Sequence, residues 1–295
     1  MADLRIEATI AIGKTADWVA VTAAGLWVGS TGPNAVSEID PATNRVTRVE
    51  LPGRPCAGLA ADPTSLWVPL CGPAPQLAKV DLATRKLSQV FALGPAGPEG
   101  GIAIGAGSVW LVTDKTGSLS RIDPGSGTVV QTVKLPPGSY NPVFANGLVW
   151  VTRVDGAELT VVDPASGTVV GQVAVGPHPR FTTTGGGAVW TLNQQDGSLS
   201  RIDATSRAAA KAVALNTPGP GGDITYADGR VWTTMMKTPL TAIDARSGAV
   251  LCQWQGEGGD SLGIGHGAIW LTNLRAGTVS RIALKDIPAD CAVAP

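Results

Sequence analysis

Residues 101–135 read GIAIGAGSVWLVTDKTGSLSRIDPGSGTVVQTVKL. The stretch holds four short runs of strand-forming residues, at 101–105, 108–113, 118–123 and 128–135, separated by turn residues. Apolar and polar residues alternate in the last two runs, the pattern of a strand with one buried face. The first run is built of small residues that fit a crowded position. Between the third and fourth lies DPGSGT, where Asp accepts local backbone hydrogen bonds, Pro presets φ and Gly supplies a left-handed residue. The same turn returns as DPATNR at 40–45, DPASGT at 163–168 and DARSGA at 244–249, so these aspartates read as structural.

Trp110, in the second run, is one of seven tryptophans spaced about 40 residues apart: Trp27, Trp67, Trp110, Trp150, Trp190, Trp232 and Trp270. An Ile-Asp or Val-Asp pair follows each of the first six by 11 to 13 residues, and Ile282-Ala283 closes the series. Four strands repeated at this period are the signature of a propeller blade. The expected fold is therefore all-β, a seven-bladed β-propeller with four antiparallel strands (A to D, from the axis outward) per blade, as one domain over 1–295. One large aromatic per blade fills the wedge between twisted neighbouring sheets. The segment RIEATIAIG at 5–13 resembles the D strands, whereas the last repeat, 261–284, supplies only A, B and C. Residues 5–12 are thus expected to complete blade seven and close the ring, with 285–295 as a tail.

Only 15% of residues are charged, the formal net charge is −1, and no block of Lys or Arg stands out. The electrostatic footprint of a nucleic-acid or anionic-membrane partner is missing. Apolar runs of four to six residues are too short for a bilayer span or a signal-peptide core. The expected state is a monomer without membrane insertion. Cys56 and Cys71 lie symmetrically about the turn at 62–65, so an antiparallel pair in that register sets them face to face as a cross-strand disulfide. Cys252, on the outer strand of blade six, and Cys291, in the tail, are candidates for a second bridge. Two bridges imply an oxidising compartment, periplasmic or extracellular, with the Met-Ala-Asp start replacing a removed leader. Four reduced cysteines in a cytosolic protein are the alternative.

The units VWLVTDKTGSLSRIDPGSGTVVQTVKLP and VWVTRVDGAELTVVDPASGTVVGQVAVG resemble the repeats of bacterial YVTN-type propellers, and the set over 5–284 resembles the virginiamycin B lyase-like superfamily. That superfamily implies a metal-assisted lyase with a histidine just before an A strand. The matching positions here hold Asp17, Cys56, Gly100, Tyr140, Arg180, Gly222 and Asp260, none of them histidine. His178 lies two residues out of register, so the lyase activity is not carried over.

In propellers the D–A and B–C loops gather on one face around the axial funnel. The residues expected there are Asp17, Trp18, Arg54, Glu99, Tyr140, Asn141, Arg153, His178, Arg180, Asn193, Asp223, Asp260, Asn273 and Arg275. Asp223, Asp260 and Asp17 fall on adjacent blades, and Tyr140, Arg153, His178 and Arg180 fall on blades four and five, so the funnel should be polarised. His178 is the candidate general acid or base, Arg180 the candidate carboxylate or oxyanion holder, and Tyr140 the candidate proton donor. Asp17, Asp223 and Asp260 are weak candidates for a divalent cation, the one cofactor considered. No zinc spacing, GxSxG elbow or phosphate loop is present. Three readings follow: a funnel that binds a small molecule or peptide, a cofactor-free or cation-assisted lyase, hydrolase or isomerase, and a protein-interaction ring.

Overall fold

The computed structural model describes residues 4–288 and 291. Seven antiparallel sheets form the blades. The type repeat gives strands Ile102–Gly105, Ser108–Asp114, Ser118–Ile122 and Val129–Lys134, each within a residue or so of the expectation. Five A–B turns are tight hairpins with two left-handed residues: Ala106-Gly107, Asn146-Gly147, Gly186-Gly187, Asp228-Gly229 and His266-Gly267. That geometry matches the twist of the strands they join. In the C–D turns the aspartates accept backbone N–H groups, as Asp123 does from Ser126 at 2.7 Å and Asp244 from Ser247 at 2.7 Å. Blade five departs from the pattern, because AAAKA at 208–212 offers no β-branched or aromatic residue. Its outer strand shrinks to Val213–Ala214.

All seven repeat tryptophans are fully buried. Each packs into the neighbouring blade, as Trp110 does against Val149, Val151 and Val162, and Trp150 against Val189 and Ile202. The indole N–H of Trp110, Trp150, Trp190 and Trp270 donates to the A-strand carbonyl five residues earlier, at 3.0 to 3.2 Å. A basic residue opposite on strand C covers four of the rings: Lys79 over Trp67, Arg121 over Trp110, Arg201 over Trp190 and Arg281 over Trp270, at 5.1 to 5.7 Å. Three of these cations also reach the next blade. Lys79 donates to the Pro124 carbonyl at 2.7 Å, Arg121 to Pro164 at 3.1 Å and Arg281 to Pro41 at 2.6 Å. The Asp-Pro turn and the strand-C cation are thus two halves of one inter-blade latch.

The ring closes as the strand count requires. Ala8–Ala11 pairs antiparallel with Thr278–Ala283, with Ala8 opposite Arg281 and Ile10 opposite Val279. Arg281 latches blade seven to blade one, and the His266 ring hydrogen-bonds the Thr22 carbonyl across the same seam at 2.9 Å. Near the A–B turns, aromatic rings from one A strand pack on glycines of the A strand beside it. Phe144 lies over Gly105 and Tyr226 over Gly185, each 2.0 Å from where a Cβ would stand, so only glycine fits there.

Both disulfides are present, Cys56–Cys71 with Cα atoms 5.8 Å apart and Cys252–Cys291 at 5.3 Å. The face-to-face register expected for the first is corrected. Cys71 pairs with Arg54, whereas Ala60 pairs with Trp67. Two extra residues bulge out of strand A between these pairs, and the bridge runs diagonally across the bulge. No helix among the described residues is long and apolar enough to cross a membrane.

Candidate functional site

Strand A of blades one, four and five loses register at the funnel end. Asp17 opposes Gly29 and Val19 opposes Val28, leaving Trp18 as the extra residue; Tyr140-Asn141 and Arg180 occupy the corresponding bulges. A bulge re-aims side chains locally, and these three lie where the chain meets the axis. Trp18, Glu99 and His178 also take left-handed backbone conformations, with φ of 57°, 65° and 57°. Non-glycine residues accept that strain only where their surroundings fix it. The buried Trp18 ring crosses toward blade five, its centroid 6.0 Å from that of Phe181. Trp18 is thereby the shared wall of two spaces, an upper cavity of about 360 Å3 and an axial chamber of about 190 Å3.

Asp17, Arg54, Glu99 and Arg275 line the upper cavity. Burial raises the Asp17 carboxyl well above the ordinary carboxylate range, and the negative charges of Asp260 and Glu99 add to this. The Trp18 N–H at 2.7 Å and the Ser261 hydroxyl at 3.0 Å oppose the rise by donating to Oδ1. Asp260 is also raised by burial, and its carboxyl interacts electrostatically with that of Asp17. Two neighbouring carboxyl groups are costly to ionise together, so ionisation of one holds the other up. Glu99 is raised by burial and by Asp260, while Arg180 and Arg54 pull it back. Arg180 stacks 4.3 Å above the Tyr140 ring and donates to its hydroxyl at 3.3 Å, and that hydroxyl donates to the Pro98 carbonyl. Burial raises the Tyr140 phenol, partly offset by Arg180. Deeper in the channel, desolvation pushes Asp223 up to about 7, although it accepts the backbone N–H groups of Ile224 at 2.7 Å and Leu262 at 3.4 Å.

The structure therefore joins Asp17, Asp260, Glu99, Arg180, Tyr140 and Arg54 into one electrostatic group. The expected acid and base sides are not held apart, because Glu99 of blade three feels both Asp260 and Arg180. Several expected residues lie elsewhere. Asn193 is wholly buried and bonds Thr191, Ser198 and Ser200 within its own blade. Arg153 is paired with Glu158 at 3.0 Å. Asn273 ties Thr278 and Ser280 at the edge of an adjoining cavity of about 670 Å3, which Asp260 also lines and which shares Arg275 with the upper one. The His178 carbonyl accepts the Gln194 N–H at 3.0 Å, and its ring bonds none of the carboxylates, Tyr140 or Arg180 among the described residues. Asp17, Asp223 and Asp260 do not form a coordination shell either. Among the described residues no three His, Cys, Asp or Glu side chains are placed to hold a metal ion; Asp223 accepts backbone N–H groups, and Asp17 accepts from Trp18 and Ser261. Ser261 and Phe181 were not anticipated. Each directly follows a funnel position, Asp260 and Arg180, and that adjacency was the available signal.

No protein-family model matches the chain, and no curated protein matches it. Among solved structures it is similar to the crystal structure of BamB from Moraxella catarrhalis, with a TM-score of 0.67 and 14% identity over 95% of this chain and 97% of that one. At that identity the likeness concerns the fold, and the fold is a β-propeller.

Proposed function

We propose that this chain is an exported, monomeric, single-domain propeller whose funnel binds a small molecule or peptide presenting an ammonium group beside a carboxylate. The observation that carries the reading is the wall of the upper cavity, where Asp17 and Glu99 stand with Arg54 and Arg275. Carboxylates accept the three donors of an ammonium, and guanidinium groups clamp a carboxylate bidentately. A concave space of a few hundred Å3 with convergent charged groups favours ligand use over a flat interaction rim. The two disulfides support export. The resemblance to YVTN-type and virginiamycin B lyase-like repeats stays part of the proposal on its motifs alone. A thermal-shift panel of short peptides with free termini, each beside its N-acetylated and C-amidated form, tests it. Free peptides should raise Tm and doubly blocked ones should not; equal shifts for both would reject the charge-paired ligand.

A second reading, a cofactor-free or cation-assisted lyase, hydrolase or isomerase, is favoured by the electrostatic interaction of the Asp17 and Asp260 carboxyl groups. A carboxyl group that keeps its proton beside an ionised one supplies an acid and a base in one place. On this reading the acid–base work moves from His178 to the carboxyl pair, with Arg180 and Tyr140 beside it. Turnover that survives Asp260→Asn would exclude it.

A further inference from the structure

We propose that the axial chamber beyond Trp18 is a second binding site, for a small alkylammonium ion held by the Asp223 carboxylate and the Asn141 amide oxygen. The chamber holds about 190 Å3, and Leu59, Ile102, Phe181 and Leu262 line it together with the polar groups of Asn141 and Asp223. That space suits a guest of several heavy atoms, since an engineered apolar cavity of about 150 Å3 accepts benzene. Asn141 is 3% exposed. Its backbone N–H donates to the Thr152 hydroxyl at 3.0 Å and its side-chain NH2 to the Arg180 carbonyl, which leaves Oδ1 buried without a partner. A buried acceptor with nothing to accept is costly, and native proteins rarely retain one without a use. On blade six, Asp223 offers a second acceptor group into the same chamber. Neither Asp223 nor Asn141 Oδ1 supplies a proton when the acid is ionised, so the complementary guest brings donors, positive charge and a short hydrocarbon body. A divalent metal fits poorly, because it demands six or more oxygens and the described residues offer no acidic trio.

The site lies across the Trp18 wall from the upper cavity, and the test separates the two. n-Propylammonium chloride is titrated by calorimetry and thermal shift against sodium chloride and 1-propanol. We expect Tm to rise about 2 °C at roughly ten times Kd, with no effect of either control. Asp223→Asn should weaken binding by about 10- to 100-fold, and Asn141→Ala by about 10-fold. If Asn141→Ala fails to fold, the isosteric Asp223→Asn decides alone. Equal stabilisation by 1-propanol, absence of any shift with the amine, or undiminished affinity in Asp223→Asn would overturn the proposal. So would a loss that follows Glu99→Gln instead, which would place the amine in the upper cavity.

Discussion

Trp18 is held in a left-handed conformation at a bulge, with its ring buried across the channel against Phe181. Its replacement therefore has two opposing consequences. Trp18→Ala removes a buried aromatic and should cost about 3 kcal/mol. Trp18→Gly removes the same ring and also relieves the left-handed strain, so it should be about 1 kcal/mol more stable than Trp18→Ala, the reverse of the usual order. Urea denaturation of the two variants checks this, and the usual order would show that the backbone at 18 is not strained. Asp223 makes a pH prediction. Its folded pKa of about 7 stands above the ordinary 3.8, so the folded state binds its proton more tightly than the unfolded chain. The stability this gives is complete below about pH 4 and is lost as pH rises through 7. Asp223→Asn, which imitates the protonated acid, should match the parent near pH 4 and exceed it by about 2–4 kcal/mol near pH 8.5. A pH-independent difference in denaturation midpoint would mean that Asp223 is not buried as described. These residues also mark the limit of sequence reading at the site. Spacing from the tryptophans located Asp17, Tyr140, Arg180 and Asp260 at equivalent blade positions, yet spacing carries no distances. The electrostatic interaction of Asp17 with Asp260, the bulges that hold Trp18 and Arg180, and the commitment of Asn193 to its own blade depend on register and packing that no local pattern announces.

At the scale of the element, the strand-C cation explains why the repeat reads as it does. Arg121 stacks on Trp110, bonds Ser108 at 2.8 Å and reaches the Pro164 carbonyl of the next blade. Arg121→Met keeps the apolar stem and loses the latch, which should cost about 1–3 kcal/mol. Val161 stands opposite Trp150 at the corresponding place in blade four, and Val161→Ala should show no such latch loss. A double-mutant cycle with a blade-four turn variant would locate the energy, and a coupling near zero would mean that the contact is incidental. The blades were the most legible part of the chain because tryptophan, Asp-Pro turn and X-Gly hairpin recur with one period, and each enforces the same local geometry. The disulfide register was less so. The two extra residues between Pro55 and Ala60 shift Cys56 off the position that symmetry about the turn assigned to it.

For the whole molecule, closure makes stability a property of the ring rather than of any blade. Residues 8–11 form the outer strand of blade seven, and Leu4 packs with Trp254 and Cys291 beside it. Deleting residues 1–12 opens blade seven, and hydrogen exchange should show protection falling in all seven sheets together. Loss confined to blade seven would describe an open array of independent repeats instead. The same closure brings blades seven, one, two and three together so that Asp17, Glu99, Arg54 and Arg275 share one cavity. The central functional claim rests on that convergence. Calorimetric titration of the peptide that most stabilises the parent protein, repeated with Glu99→Gln, with Arg54→Met and with both, tests it directly. The account predicts about 10- to 100-fold weaker binding in each single variant, with the Glu99→Gln loss abolished when the peptide is N-acetylated and the Arg54→Met loss abolished when it is C-amidated; affinities unchanged in both variants would contradict it.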